Sequence, residues 1–210
     1  MSNPEGQVGL TATSRFLKRS FDIVFAVLGL LLMGWLILIA FLLAAWDTGE
    51  SGFFRQERVG KDGRLFKVIK IRTMRSDSSV STTVTSEADP RITHLGSFWR
   101  RTKIDELPQL INILPGQMSF VGPRPDVPGF ADRLQGVDRI ILSVRPGITG
   151  PATLRFRHEE VLLASQSDPE RYNREIIYPE KIRLNRTYVE DYSFWSDLVY
   201  IWRTIAGGDE

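Results

Sequence analysis

Asp105 and Glu106 stand side by side in a stretch, Arg100–Pro125, that reads RRTKIDELPQLINILPGQMSFVGPRP and carries arginines at both ends. Neighbouring residues on a helix project about 100° apart, so two adjacent carboxylates rarely do the same job. A division of labour is the simpler chemistry. One carboxylate attacks phosphorus and forms an acyl phosphate, while the other holds a divalent cation that neutralises phosphoryl oxygens. Arg100 and Arg124, flanking the pair, suit a substrate that carries phosphate. By spacing alone such a pair is more commonly a helix N-cap followed by a first-turn dipole partner, and both readings stay open at this level. Other chemistries drop out. The chain has no Cys, which excludes thiolate nucleophiles, disulfides and Cys-based metal sites. It has no Gly-x-x-x-x-Gly-Lys-Ser/Thr, no Gly-x-Gly-x-x-Gly and no Asp-x-Asp. Its two histidines, His94 and His158, are far apart and read as packed or surface residues.

The elements that must position the pair are legible in outline. Leu107, Leu110, Ile111 and Leu114 recur at helical spacing, and Pro115-Gly116 ends that helix. Pro108 is tolerable only in its first turn, which places Asp105 and Glu106 at the N-terminus, where free amides attract anions. Upstream, Phe53–Val59 and Leu65–Thr73 are short β-favouring runs joined by Gly60-Lys61-Asp62-Gly63, the pattern of a β-hairpin. Strand alternation puts Lys70 and Arg72 on one face, a pair that could grip a diphosphate. Ser76–Pro90 is a hydroxyl-rich loop, and Arg91–Arg101 is amphipathic. Gly122-Pro123-Arg124-Pro125 and Arg145–Gly150 are rigid turns that each present one Arg. Phe130–Leu142, Glu159–Ala164 and Glu180–Asp191 read as helices. A last amphipathic helix carries Phe194, Leu198, Ile201 and Ile205, with Trp195 and Trp202 beside them.

Ahead of all this lies an uninterrupted apolar run of 24 residues, Ile23–Trp46. As a helix it would extend about 36 Å, enough to cross a hydrocarbon core of roughly 30 Å. The run is too long for the core of a cleaved signal peptide. Arg15, Lys18 and Arg19 precede it, and Arg55, Arg58 and Lys61 follow it, so the positive-inside rule favours both flanks in the cytoplasm. A re-entrant helix satisfies both flanks, with Gly34-Trp35 as its expected bend; a straight span is the alternative. The organisation is then a disordered leader over 1–14, a membrane-inserted helix over 15–48 and a cytoplasmic catalytic domain over 49–210. The fold class is α+β: mostly helical, with a small β-hairpin, the N-terminal membrane helix and amphipathic interfacial helices. No alternating strand and helix units point to a large parallel sheet. With 27 Lys+Arg against 25 Asp+Glu, the net charge of +2 does not call for a nucleic acid partner.

Four motifs occur in an unusual order: KRSFDIVFAVLGLLLMGWLILIAFLL, FFRQERVGKDGRLFKVIKIRTM, EADPRITHLGSFWRRTKIDELPQLINILPGQMSFVGPRP and RPGITG. In that order the sequence resembles the bacterial sugar transferases called monotopic phosphoglycosyl transferases, over residues 18 to about 152. The resemblance implies transfer of a sugar 1-phosphate from a UDP-sugar to undecaprenyl phosphate, with release of UMP and Mg²⁺ as cofactor. It implies a bacterial inner membrane location, with the catalytic domain on the cytoplasmic face and membrane lipid as a partner. Asp105 matches the nucleophile, and Glu106 matches a residue that assists metal binding, so both are the expected metal-site residues. Lys70, Arg100, Arg124 and Arg145 match phosphate or nucleotide contacts. Two departures stand out. Gly34-Trp35 replaces the Ser-Pro pair common in the family's re-entrant helix, and Pro151-Ala152-Thr153 replaces Trp-Ala-Gln after RPGITG, ahead of a divergent tail where sugar identity could be decided. A membrane-bound phosphatase using the same two carboxylates, and a non-catalytic membrane scaffold, are the competing readings. No motif encodes the sugar, the glycan or the oligomeric state, a homodimer included.

Overall fold

A computed structural model describes residues 9–76 and 89–207. Helix α1 spans Ala12–Thr48, about 55 Å long at 1.5 Å per residue. It begins inside the expected leader, because Thr11 caps it by accepting from the Ser14 amide at 3.2 Å; residues 1–8 of that leader lie outside the described residues. The backbone stays helical through Gly34 and Trp35, where the bend is expected. Glycine loosens a helix but, unlike proline, removes no hydrogen bond from it. Only one stripe of α1 is buried: Lys18, Asp22, Ala26, Ile37, Ala40 and Ala44. The remaining apolar surface is open, with Leu31, Leu32, Trp35 and Trp46 each more than 60% exposed. A core helix of a soluble domain would hide that surface.

Strands β1 (Phe53–Val59) and β2 (Leu65–Ile71) pair antiparallel with Val59 opposite Leu65, so the hairpin forms as read. Its turn places Asp62 at φ +58°. After β2, a two-residue bridge between Met74 and Ile92 leads into α2 (His94–Thr102), capped by Thr93. Gly96 is required here: a Cβ on it would fall 2.0 Å from the Thr73 carbonyl oxygen, and the close approach docks α2 on the end of β2. Of the hydroxyl-rich loop, residues 77–88 lie outside the described residues.

A single 3₁₀ turn, Ile104–Glu106, then precedes α3 (Gln109–Ile113). The expected helix is α3, beginning just after Pro108, and Asp105 and Glu106 lie ahead of it in a separate 3₁₀ turn. Strands β3 (Ser119–Val121) and β4 (Gly147–Thr149) pair in parallel, a small second sheet in which β4 occupies the segment that reads as the Arg145–Gly150 turn. Between them, Phe130–Leu142 is not α-helical; it forms 3₁₀ segments at Ala131–Arg133 and Gly136–Ser143. Short helices α4 (Pro151–Arg155), α5 (Glu159–Ala164) and α6 (Pro169–Tyr172) follow. A π-helical segment links α6 to α7 (Tyr178–Glu190), and α8 (Phe194–Ala206) is the last helix. The architecture is mostly helical α+β, as the sequence indicates.

Three polar residues near the start of α1 hold it to the body. Lys18 pairs with Asp197 of α8 at 2.6 Å. Arg19 donates to the carbonyls of Ile113 and Leu114 at 2.7 and 2.6 Å, capping α3. Asp22 accepts from the Ser119 hydroxyl and the Phe120 amide of β3 at 3.0 and 3.1 Å. Lys18 and Arg19 are therefore structural tethers, which corrects their reading as simple flanking charges. Along α8 the outward side carries Trp195, Val199, Trp202 and Ile205, all exposed, while Asp197 faces inward.

Candidate active site

The reach of Glu106 organises the site. Its Oε1 accepts from Lys70 Nζ at 3.0 Å and lies 3.6 Å from Arg124 Nη2. Burial alone would raise its pKa, but the charges of Lys70 and Arg124 outweigh it and hold the carboxyl down at about 2. Asp105, one residue earlier, has the opposite balance. It is 8% exposed, and burial, with Glu106 beside it, pushes its carboxyl up to about 6 against Lys70, Lys103 and Arg100. Its Oδ1 is buried without a hydrogen-bond partner. The turn thus offers one carboxylate locked in its charged form and a second that is desolvated and unengaged.

Asn112 sets the distance between strand and turn. Its side chain accepts from the Ile69 amide at 3.0 Å and donates to the Lys67 carbonyl at 2.8 Å, so it pairs with the free edge of β2 as another strand would. That bond registers Lys70 against Glu106. Sequence reading missed Asn112; its signal is a buried amide within the apolar helix of α3. Lys103 was also missed. It joins α2 to the 3₁₀ turn at φ +58°, a left-handed conformation uncommon for a side-chain-bearing residue, and its charge acts on both carboxyls.

Of the expected basic residues, Lys70 and Arg124 meet at Glu106, and Arg100, in the last turn of α2, acts electrostatically on Asp105. Arg124 is half exposed, so its guanidinium is presented to solvent over the carboxylates. Two residues stand elsewhere. Arg72 follows the end of β2 and turns away, donating to the Ser51 carbonyl at 2.8 Å and pairing with Glu50 at 3.1 Å, so it does not share a grip with Lys70. Arg145 lies at the far end of α3 from the carboxylates, with Nε bonded to the Gly116 carbonyl at 2.9 Å.

The sequence matches the family model for bacterial sugar transferases over residues 13–208. This chain belongs to the bacterial sugar transferase family. It is an enzyme of the phosphoglycosyl transferase class. Exopolysaccharide production protein ExoY of Sinorhizobium fredii is 32% identical over 204 residues, 90% of this sugar transferase and 83% of that protein. The UDP-glucose:undecaprenyl-phosphate glucose-1-phosphate transferase of Escherichia coli is 34% identical over 204 residues, 95% of this chain but 41% of that protein. A Bacillus subtilis protein provisionally named an undecaprenyl-phosphate N-acetylgalactosaminyl 1-phosphate transferase is 45% identical over 126 residues, 59% of this chain and 70% of that protein.

A narrow cavity of this sugar transferase beside Arg124 is lined by Gly60, Pro123, Asp126 and Val144. Burial pushes the Asp126 carboxyl up to about 6 despite Lys181, Arg58 and Arg124 nearby. A carboxyl with a folded pKa above its unfolded value stabilises the fold below about pH 4, and that contribution is lost as pH rises through about 6. Unfolding by denaturant in detergent micelles should therefore show the wild type losing about 1–2 kcal/mol more than Asp126→Asn between pH 4 and 7, the lower part of the linkage range because Asp126 keeps some solvent contact. Equal pH slopes for the two proteins would show that this carboxyl is solvated.

Proposed function

We propose that this enzyme transfers a sugar 1-phosphate from a UDP-sugar to undecaprenyl phosphate, through a covalent intermediate on Asp105, at the cytoplasmic face of a bacterial inner membrane. The observation that carries this reading is the opposite electrostatic state of two adjacent carboxylates, one paired with cations and one buried and unpartnered. In the first step, Asp105 attacks the phosphorus that bears the sugar. The bond from that phosphorus to the bridging oxygen breaks, UMP leaves with the electron pair, and an acyl phosphate joins Asp105 to the sugar phosphate. In the second, a phosphate oxygen of undecaprenyl phosphate attacks the same phosphorus and Asp105 departs as a carboxylate. Lys70 and Arg124 bind the donor's phosphates, and Glu106 holds those cations in place before the substrate arrives.

Two carboxylate side chains, one with an uncommitted buried oxygen, fit Mg²⁺, which binds through one or two carboxylates together with substrate phosphates and water. Asp105 and Glu106 would hold it, and when bound it would neutralise the phosphoryl oxygens. Among the described residues no cluster of three or more acidic, His or Cys side chains offers an all-protein cage. Support for a lipid acceptor comes from α1, which is long and apolar enough to cross a membrane and leaves most of its surface uncovered. The names of the relatives, which describe transfer to undecaprenyl phosphate and exopolysaccharide production, agree with the same direction.

Product identity tests the proposal. The purified full-length protein, given Mg²⁺, a panel of UDP-sugars and undecaprenyl phosphate, is expected to release UMP, with label from the sugar-bearing phosphate passing to the lipid. UDP as product would show direct glycosyl transfer instead. Phosphate release without lipid would point to a hydrolase.

A further inference from the structure

A cavity of about 130 Å³ opens at the base of α1, lined by Gly9, Arg15, Lys18, Lys61, Ser143 and Arg145 among others. It holds four cations and no carboxylate. Lys18 is spent on Asp197, but Arg15, Lys61 and Arg145 have no acidic partner among the described residues. Arg15 and Arg145 each commit Nε to a main-chain carbonyl, of Leu10 and Gly116 respectively. Their terminal nitrogens make no hydrogen bond to a described residue. Arg19 adds to the crowding: a Cβ placed on Gly116 would lie 3.2 Å from Arg145 Nε and 3.5 Å from Arg19 Nη2, so two guanidiniums converge on one point. Like charges held this close repel, and an anion in the cavity beside Arg145 lowers that cost. The volume suits one phosphate group.

The cavity is separate from the carboxylate site. Arg19 and Arg145 bond the C-terminal end of α3, whereas Asp105 and Glu106 precede its first turn. Val144 lines both this cavity and the one beside Arg124, so the two sit back to back across the segment leading into β4. The surroundings indicate how a ligand would arrive. Phe16 and Leu17, adjacent to Arg15, are 75% and 46% exposed, and Trp195 and Trp202 of the tethered α8 are exposed as well. Apolar side chains that enter a bilayer beside uncompensated cations place those cations at the depth of lipid phosphates.

We propose that this cavity is a second anion site, which binds one phosphate group presented either as the phosphodiester of an acidic membrane lipid or as free phosphate. The proposal is independent of the reading of Asp105, because it concerns binding and not turnover. The test uses the full-length protein in neutral detergent, with phosphatidylglycerol, phosphatidylcholine and inorganic phosphate as separate probes, and counts bound lipid by native mass spectrometry. Wild type is expected to hold one phosphatidylglycerol saturably and to discriminate against phosphatidylcholine. Arg15→Gln and Lys61→Gln, which alter surface side chains away from the carboxylates, should each raise the dissociation constant about tenfold, the loss of one charge-assisted contact. Displacement of the lipid by millimolar inorganic phosphate assigns the site to phosphate itself. Lipid binding that phosphate does not displace assigns it to a headgroup with its acyl tails. Unchanged affinity in both variants, or no saturable binding of either anionic probe, overturns the proposal.

Discussion

Asp105→Asn should abolish sugar phosphate transfer, with UMP release falling by roughly 10⁴-fold or more, because the neutral amide lacks the anionic oxygen that attacks phosphorus. The expected result is sharper than loss of activity. Asp105 is buried and its carboxyl is already pushed toward the neutral form, so an isosteric neutral side chain removes a desolvation cost and leaves the turn intact. Thermal unfolding of the variant should match or exceed that of wild type, and intact-mass measurement during turnover should show a sugar phosphate adduct on wild type alone. Glu106→Gln behaves differently. Its carboxylate is held ionised by Lys70 and Arg124, so the amide leaves those cations facing each other and both activity and stability decline. Retention of more than a few per cent of activity in Asp105→Asn, or an adduct on that variant, would exclude Asp105 as the nucleophile.

The largest expected effect on stability lies far from that turn. Lys18 and Asp197 are buried together, with side chains 8% and 4% exposed. Tyr188 and Tyr192 donate to the same carboxylate at 2.7 and 3.1 Å, and Lys18 also donates to the Tyr188 hydroxyl at 3.3 Å. Lys18→Met or Asp197→Leu alone leaves a buried charge without its counter-ion and should cost about 3–5 kcal/mol. For a protein of this length that lowers the melting temperature by about 10 °C. The double variant Lys18→Met with Asp197→Leu removes both charges and should recover much of the loss, although two phenols then lack their acceptor. Tryptophan fluorescence during unfolding in micelles measures all three. Costs that add would show that the pair is solvated and not a buried unit. Because Lys18 is in α1 and Asp197 in α8, either single change should also free the last helix, making the segment that follows Tyr192 more sensitive to protease.

Local chemistry was readable where neighbours in sequence are neighbours in space. The hairpin, the apolar run and helices α2, α5, α7 and α8 follow from period and turn residues, which act within a few positions. The adjacency of Asp105 and Glu106 is itself a local fact. Periodicity was less informative where proline and glycine set the geometry. Pro108 leaves the two carboxylates in a 3₁₀ turn ahead of α3, and the strands just before the Arg124 turn and within the Arg145–Gly150 turn are three residues each, too short to carry a period.

What depended on the fold was the partner of each charge. The strand pattern could group Lys70 with Arg72 but had no means of showing that Glu50 and Ser51, at the end of α1, draw Arg72 aside. Arg124 reaches Glu106, whereas Arg145, alike in its Pro-flanked setting, bonds Gly116 instead. Lys18 looked like a flanking charge of a membrane helix until α8 brought Asp197 to it across 179 residues. The sequence on its own determined which groups could ionise, where an apolar helix must lie and which two carboxylates adjoin. Only the tertiary structure decided which ions are buried, paired or left open, because electrostatic energy depends on distance and solvent access, and separation along the sequence specifies neither.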